Sequence, residues 1–412
     1  MSVTADIAPV VADDRVAKRN AVVLAIAQAL AGGNNIVIAA TAGIVGAMLA
    51  SDPGLATLPV SVMVCGIWLG TLPQGYLARN YGRRFALQAG SVVGTLAGLV
   101  SCVAVIEGSF LLFLVGAFGC GIYAAAHNSY RFAACDTASD ACRPKAISFV
   151  LAGGVMAGVI GPAVVIVTQD WWAPHLFAAT YIAQSGLAVL AGLVLTQLRS
   201  PPPMPRAERK LNPGRPLSEI ARQPLFIAAV SCGVVSYVIM NLVMTSAPIA
   251  MVGCGHSVTE STLGIQWHVL GMYAPSFVTG SLIVRFGVFR IIALGLTLLL
   301  ASAAISMAGE SVGHFWVGLA LLGVGWNFAF IGATTLVTHC HRPEERNKVQ
   351  SFNDFLIFGT MALGSFASGQ LLATLGWAFV NATVFPPVLA VGALLAWVAL
   401  RQHRRFTQRT GV

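Results

Sequence analysis

The 412-residue sequence predicts an all-α membrane protein, with twelve spanning helices in two pseudo-symmetric six-helix bundles. Three observations carry this expectation. Hydrophobic residues make up 57% of the chain, charged residues only 9%, and mean hydropathy is +0.79, too little polar surface for a soluble fold of this size. Apolar segments of about 20 residues, enough to cross a ~30 Å hydrocarbon core, recur from end to end. All 24 Lys and Arg residues fall on one side of a zigzag path through those segments.

The predicted spans are 21–50, 58–78, 86–106, 110–131, 146–168 and 176–197, then 224–250, 259–283, 290–308, 314–338, 350–374 and 378–400. Residues 1–20 hold Asp6, Asp13 and Asp14 and lack an apolar core with a small-residue cleavage site, so they read as a cytoplasmic tail. The first bundle is 21–197 and the second 224–400, with a tail at 401–412. Between the bundles, 198–223 is rich in proline and arginine and reads as a polar linker.

Charge orients the path. One face carries Arg15, Lys18 and Arg19, then Arg79, Arg83 and Arg84, then Arg131, Arg143 and Lys145. It also carries the linker cations from Arg199 to Arg222, Arg285, Arg290, Arg342, Arg346, Lys348 and the tail arginines. The other face has only Asp52, Glu107, Asp170, Glu260 and Glu310. Cationic loops resist translocation, which predicts that both termini are cytoplasmic. The net charge of +9 is then a membrane-flanking charge facing lipid head groups, not a nucleic-acid footprint. The eight cysteines lie mostly within spans or in cytoplasmic loops, where disulfides are not favoured. His339-Cys340-His341 has no standard metal spacing, and neither metal nor cofactor is expected.

Two signals repeat between the bundles. Gly75-x-Leu77 with Tyr81-Gly82 recurs 205 residues on as Gly280-x-Leu282 with Phe286-Gly287. Lys145-x-x-Ser148 recurs 203 residues on as Lys348-x-x-Ser351. The pattern predicts a parallel pair of bundles with a cavity between them.

The segment from Gly75 to Arg84, with twelve spans and a basic central linker, resembles the major facilitator superfamily along nearly the whole chain. That family's loop motif reads G-x-L-a-D-r-x-G-R-[RK]. Gly75, Leu77, Gly82, Arg83 and Arg84 match it, but Arg79 stands at the Asp position. The resemblance implies that this loop latches the halves near the start of the eleventh helix. Asp354 lies there and is the only carboxylate within or near the core of a predicted span. A charge-swapped latch between Arg79 and Asp354 is therefore expected. The alternative is that Asp354 favours its own helix N-terminus.

Two departures narrow the function. The family's helix-four motif has Arg and Gln where this chain has Val115 and Phe118, with Gly119 and Gly121 kept. Drug–proton antiporters carry G-P-x-x-G-G in helix five, whereas Gly161-Pro162 is followed by Ala163, Val164, Val165 and Ile166. Segments 267–277, 323–328 and 350–355 resemble a bacterial branch that includes riboflavin uptake transporters. The resemblance implies a monomeric secondary active transporter of the bacterial inner membrane, working by alternating access, with riboflavin the specific expectation. Proton-linked multidrug or metabolite efflux is the alternative.

Cavity chemistry agrees with a neutral or weakly cationic organic solute. No Lys or Arg lies deep in a span to compensate a phosphate or several carboxylates; Arg131, at the inner end of span four, comes nearest. Candidate solute contacts are Asn34 and Asn35 in span one, Tyr123, His127 and Asn128 in span four, and Asn241 in span seven. His268 in span eight, with Trp326 and Asn327 in span ten, completes the set. Trp326 and Tyr123 offer faces on which a flat tricyclic ring could stack, and the asparagines offer amides for a uracil-like edge. Such aromatics and amides also serve commonly to pack and bridge helices. His127 and His268 are candidates for a coupling proton, with Asp354 the alternative. No hydrolase or metalloprotease motif is present, which weighs against an enzyme.

Overall fold

Asp13 accepts hydrogen bonds from the backbone N–H of Arg15 (2.9 Å) and Val16 (3.1 Å), and so starts the first helix, α1, Asp14–Leu49. The first bundle continues with α2 (Leu58–Tyr81), α3 (Arg83–Ile106), α4 (Phe110–Asn128), the single turn α5 (Tyr130–Ala133), α6 (Arg143–Thr168) and α7 (Ala178–Leu195). After the linker come α8 (Leu217–Ala221), α9 (Pro224–Gly253), α10 (Val258–Tyr273), α11 (Ser276–Phe286) and α12 (Val288–Ala308). The chain ends with α13 (Val312–Thr338), α14 (Arg346–Ala382) and α15 (Phe385–Thr410). This computed structural model describes residues 13–52, 55, 58–203 and 214–410. The tail before Asp13 and the linker residues Arg206, Arg209 and Lys210 lie outside the described residues, as do the side chains of 402–410.

Among the described residues, ten helices are long and apolar enough to cross a membrane. An eleventh crossing is the α10–α11 pair, bent by 41° where Pro275 removes a backbone donor. The predicted span 259–283 is therefore broken rather than straight. Span 350–374 is the part of α14 ahead of Gly376, whose φ of +78° interrupts the helix in place of a polar loop. Outward-facing Ile26, Leu111, Ile166 and Leu193 are exposed, as lipid contact demands.

Gly82 (φ +91°) and Gly287 (φ +88°) are the repeated turn glycines. Each turns one helix directly into the next in a conformation that a Cβ would strain. Helices α1 to α7 pack on one another, as do α9 to α15, and the two bundles meet chiefly through α2 on α14 and α6 on α11. The repeated residues form these junctions crosswise. Ser351 sits against Gly75, while Ser148 Oγ donates to Ser276 O and accepts from Gly280 N–H (3.0 Å). Further into the bundle the Trp68 ring lies 5.4 Å from that of Phe355, and Tyr273 packs on Gly154. The contacts described between halves thus run from the arginine-rich end, here the basic end, to mid-span.

The linker is strapped to the second half there. Arg215 donates from its backbone N (2.7 Å), Nε (3.0 Å) and Nη2 (2.8 Å) to the buried Glu345 carboxylate. Burial works to raise that carboxyl, but the Arg215 bonds and the Arg342 N–H outweigh it and hold it at about 2, against an ordinary 4.5. A carboxyl depressed in the folded state stabilises fully above its unfolded value and loses that contribution as pH falls through the folded one. Glu345→Gln is accordingly expected to lower the melting temperature at pH 7. The deficit relative to wild type shrinks as pH is taken from about 4.5 toward 2, read by melting scans in detergent.

Candidate solute site and inner lock

Several residues expected on the cavity wall bridge helices instead. Asn34 Nδ2 donates to Gln184 O (2.7 Å), and Gln184 Nε2 returns bonds to Asn34 O (3.2 Å) and Oδ1 (3.3 Å), tying α1 to α7. Asn327 Nδ2 donates to Met272 O and Ser276 Oγ (2.6 Å each) and its Oδ1 accepts from Thr279 (2.7 Å), stitching the α10–α11 bend to α13. His268 Nδ1 bonds Leu319 O (3.0 Å) and joins α10 to α13. The Tyr123 ring fills the space left by Gly94 in α3. Asn34, Tyr123, His268 and Asn327 are thus held against neighbouring helices. In a water-poor interior a neighbouring helix is the nearest partner for an amide or imidazole.

Trp326, among the remaining candidates, belongs to an aromatic wall. The Trp326 ring lies parallel to Phe330 at 4.9 Å and meets Tyr237 (5.6 Å) and Tyr273 (6.2 Å) edge-on. Tyr237 also stands edge-on to Phe330 (5.3 Å) and Phe358 (5.4 Å). Four helices, α9, α10, α13 and α14, thus contribute to one cluster. Among the described residues Trp326 Nε1 has no hydrogen-bond partner, nor has Asn35 Oδ1 or Trp68 Nε1. Asn35 is nine residues, or two and a half turns, beyond the exposed Ile26, and so faces away from lipid. Asn241 is half-buried one turn beyond Tyr237. Buried donors and acceptors left open beside aromatic faces are what a flat, polar-edged ligand needs.

Below the wall lies a buried ion pair between halves. Arg131 of α5 and Asp354 of α14, 2% and 4% exposed, are joined through Nη2 and Oδ1. Arg131 also donates to Asn128 O, and its guanidinium lies over the rings of Phe132 (4.6 Å) and Phe330 (4.8 Å). Among the described residues its Nε has no partner, nor does Nδ1 of the adjacent His127. The expected Arg79 pairing is corrected here. Arg79 is on the exposed side of α2, as Arg84 is of α3, and Asp354 is taken by Arg131.

Arg83 supplies a second clamp. Its Nε and Nη2 bond the Asp136 carboxylate (3.2 Å each), and Nη2 reaches Gln350 Oε1 across the halves at 2.6 Å. Arg346 lies 3.5 Å from Asp136. Burial works to raise the Asp136 carboxyl, but Arg346 and Arg83 outweigh it and hold it below its ordinary value.

Residues 24–267 match the Major Facilitator Superfamily. The chain belongs to that superfamily. Among curated relatives, the riboflavin transporter RfnT of Brucella anthropi is 49% identical over 379 residues, covering 92% of this chain and 95% of the relative. An uncharacterized MFS-type transporter of Bacillus subtilis, YdeG, is 32% identical over 375 residues, 86% of each chain. Among solved structures, the proton:xylose symporter XylE has a TM-score of 0.76 at 14% identity, covering 94% of this chain and 96% of that one. FucP in the outward conformation has a TM-score of 0.71 at 16% identity, covering 93% and 98%. These two likenesses show the fold.

In this superfamily member, sequence reasoning overlooked Phe330, Phe358, Asp136 and Gln350. Phe330 was legible as the residue one turn beyond Trp326, and Asp136 as the carboxylate just beyond Arg131 in an arginine-rich stretch.

Proposed function

We propose that the protein imports riboflavin across a bacterial inner membrane by alternating access, as a monomer with both termini in the cytoplasm. On this reading the basic end is cytoplasmic, and a structure whose halves touch from that end to mid-span is open outward. The observation that carries the substrate is the 49% identity to a riboflavin transporter over 92% of the chain. The site chemistry suits it. Isoalloxazine is flat and neutral and stacks on aromatic faces, and the open Trp326 Nε1 and Asn35 Oδ1 complement its donor and acceptor edge. The buried Arg131 is already neutralised by Asp354, which disfavours a phosphorylated flavin. A proton is the candidate driving ion, since Asp354 is a carboxylate shared by both halves.

The test is growth of a riboflavin-requiring bacterium at limiting external riboflavin. Expression of this chain rescues growth. Resistance to lipophilic drugs without rescue would instead mean export. Trp326→Phe removes one N–H and keeps the ring, so the apparent affinity for riboflavin is expected to fall about 5- to 10-fold, measured as initial uptake against concentration.

A further inference from the structure

Phe330 touches both functional parts of the molecule. Its ring lies parallel to Trp326, on the aromatic wall of the second half, at 4.9 Å. The guanidinium of Arg131, from the first half, lies 4.8 Å from the centre of the same ring. A phenylalanine serving only to pack the second bundle would have no reason to reach the other half's cation. Arg131 in turn is held by few groups for so buried a charge: Asp354, one carbonyl, two ring faces, and no partner at Nε. Removing one ring face weakens a desolvated cation that has little else to lean on.

We propose that Phe330 is the positioning residue that links solute occupancy to release of the inner lock. The inference rests on the riboflavin reading above. A flavin that stacks against Trp326 and Tyr237 favours an arrangement in which the Trp326–Phe330 pair moves together. Phe330 then withdraws its face from Arg131, the Arg131–Asp354 pair loosens, and the basic end opens. With no solute the ring stays in place and the halves stay joined, so empty cycling is suppressed. Only a ligand that binds the shifted arrangement better can drive this step.

A native reporter of the lock exists. Cys135 is buried, its Sγ lies 3.5 Å from Arg131 O, and it lines a cavity of about 150 Å³ with Asp136, Arg143, His341, Arg346 and Gln350 at the basic end. Parting of the halves exposes it. The experiment uses the full chain in lipid nanodiscs, with N-ethylmaleimide as the thiol probe and riboflavin as the ligand. Quenching of flavin fluorescence reads binding, and peptide-resolved mass spectrometry reads alkylation of Cys135.

In the wild type, saturating riboflavin is expected to raise the Cys135 alkylation rate about tenfold. Phe330→Leu is read at riboflavin concentrations that saturate it by fluorescence quenching, and there its Cys135 rate no longer responds. Phe132→Leu removes the other ring from Arg131 but none from the relay; it raises the basal rate and keeps the response. Phe330→Tyr retains the face and the response. Should Phe330→Leu not fold, Phe330→Met is read the same way, against Phe330→Tyr. A riboflavin-dependent rise in a ringless Phe330 variant equal to that of wild type overturns the proposal, as does loss of the response in Phe330→Tyr. Absence of flavin binding by the wild type sinks the riboflavin reading instead, a separate outcome.

Discussion

Asp354→Asn is expected to destabilise the protein by about 3–5 kcal/mol and to abolish coupled transport. The substitution leaves Arg131 charged, 2% exposed and without a counter-ion. Its Nε already lacks a partner, and neither ring nor the Asn128 carbonyl carries a compensating charge. Arg131→Met is equally damaging, since it strands the carboxylate. The double variant Arg131→Met with Asp354→Leu removes both buried charges and is expected to recover most of the lost stability, because a buried pair is costly to break but not costly to replace. Transport stays lost, for the buried Arg131–Asp354 pair between the halves is gone. Melting of the three variants in detergent decides this. Single variants that melt with the wild type, or a double that melts as low as either single, would show that the pair is not a mutually dependent buried unit.

Gly280→Ala is expected to do the reverse, sparing stability and removing function. A Cβ there would fall on Pro144 O and on the Lys145 backbone, which cannot rotate aside. At Gly75 the obstacle is the Ser351 side chain. Overpacking of this kind costs about 1–3 kcal/mol, equivalent to a 5- to 150-fold loss of the state closed at the basic end. Each bundle is untouched internally, so melting shifts little while uptake falls by an order of magnitude and Cys135 becomes permanently accessible. Gly75→Ala is milder and is rescued by Ser351→Gly; Gly280→Ala has no comparable rescue. Wild-type uptake by Gly280→Ala would mean that α6 and α11 need not close upon each other during the cycle.

The contrast between these two sites marks what the sequence disclosed. Hydropathy and charge accumulate along a chain without reference to helix rotation, so the spans and the basic end were legible. The Gly75/Gly280 and Ser148/Ser351 repeats were legible too, because the same small-residue contact is needed twice. Partner choice was not. Arg79 and Arg131 are both cations near one face, and only the helix ends decide which enters the interior. At Ser129 α4 gives way to the turn α5, and Arg131 on that turn pairs with Asp354. Asn34, Asn35 and Asn327 look alike in sequence, yet two bind helices and one leaves an acceptor open. Phe330 and Phe358 read as ordinary packing because a ring's function depends on what lies over its face.

The most direct measurement is uptake of labelled riboflavin into liposomes containing the purified protein, with the outside made acidic. Riboflavin is expected to accumulate above its external concentration while the pH gradient lasts, and to exchange with unlabelled flavin loaded inside. Entry no faster than into protein-free liposomes, in a preparation that still melts cooperatively, would contradict import of this solute.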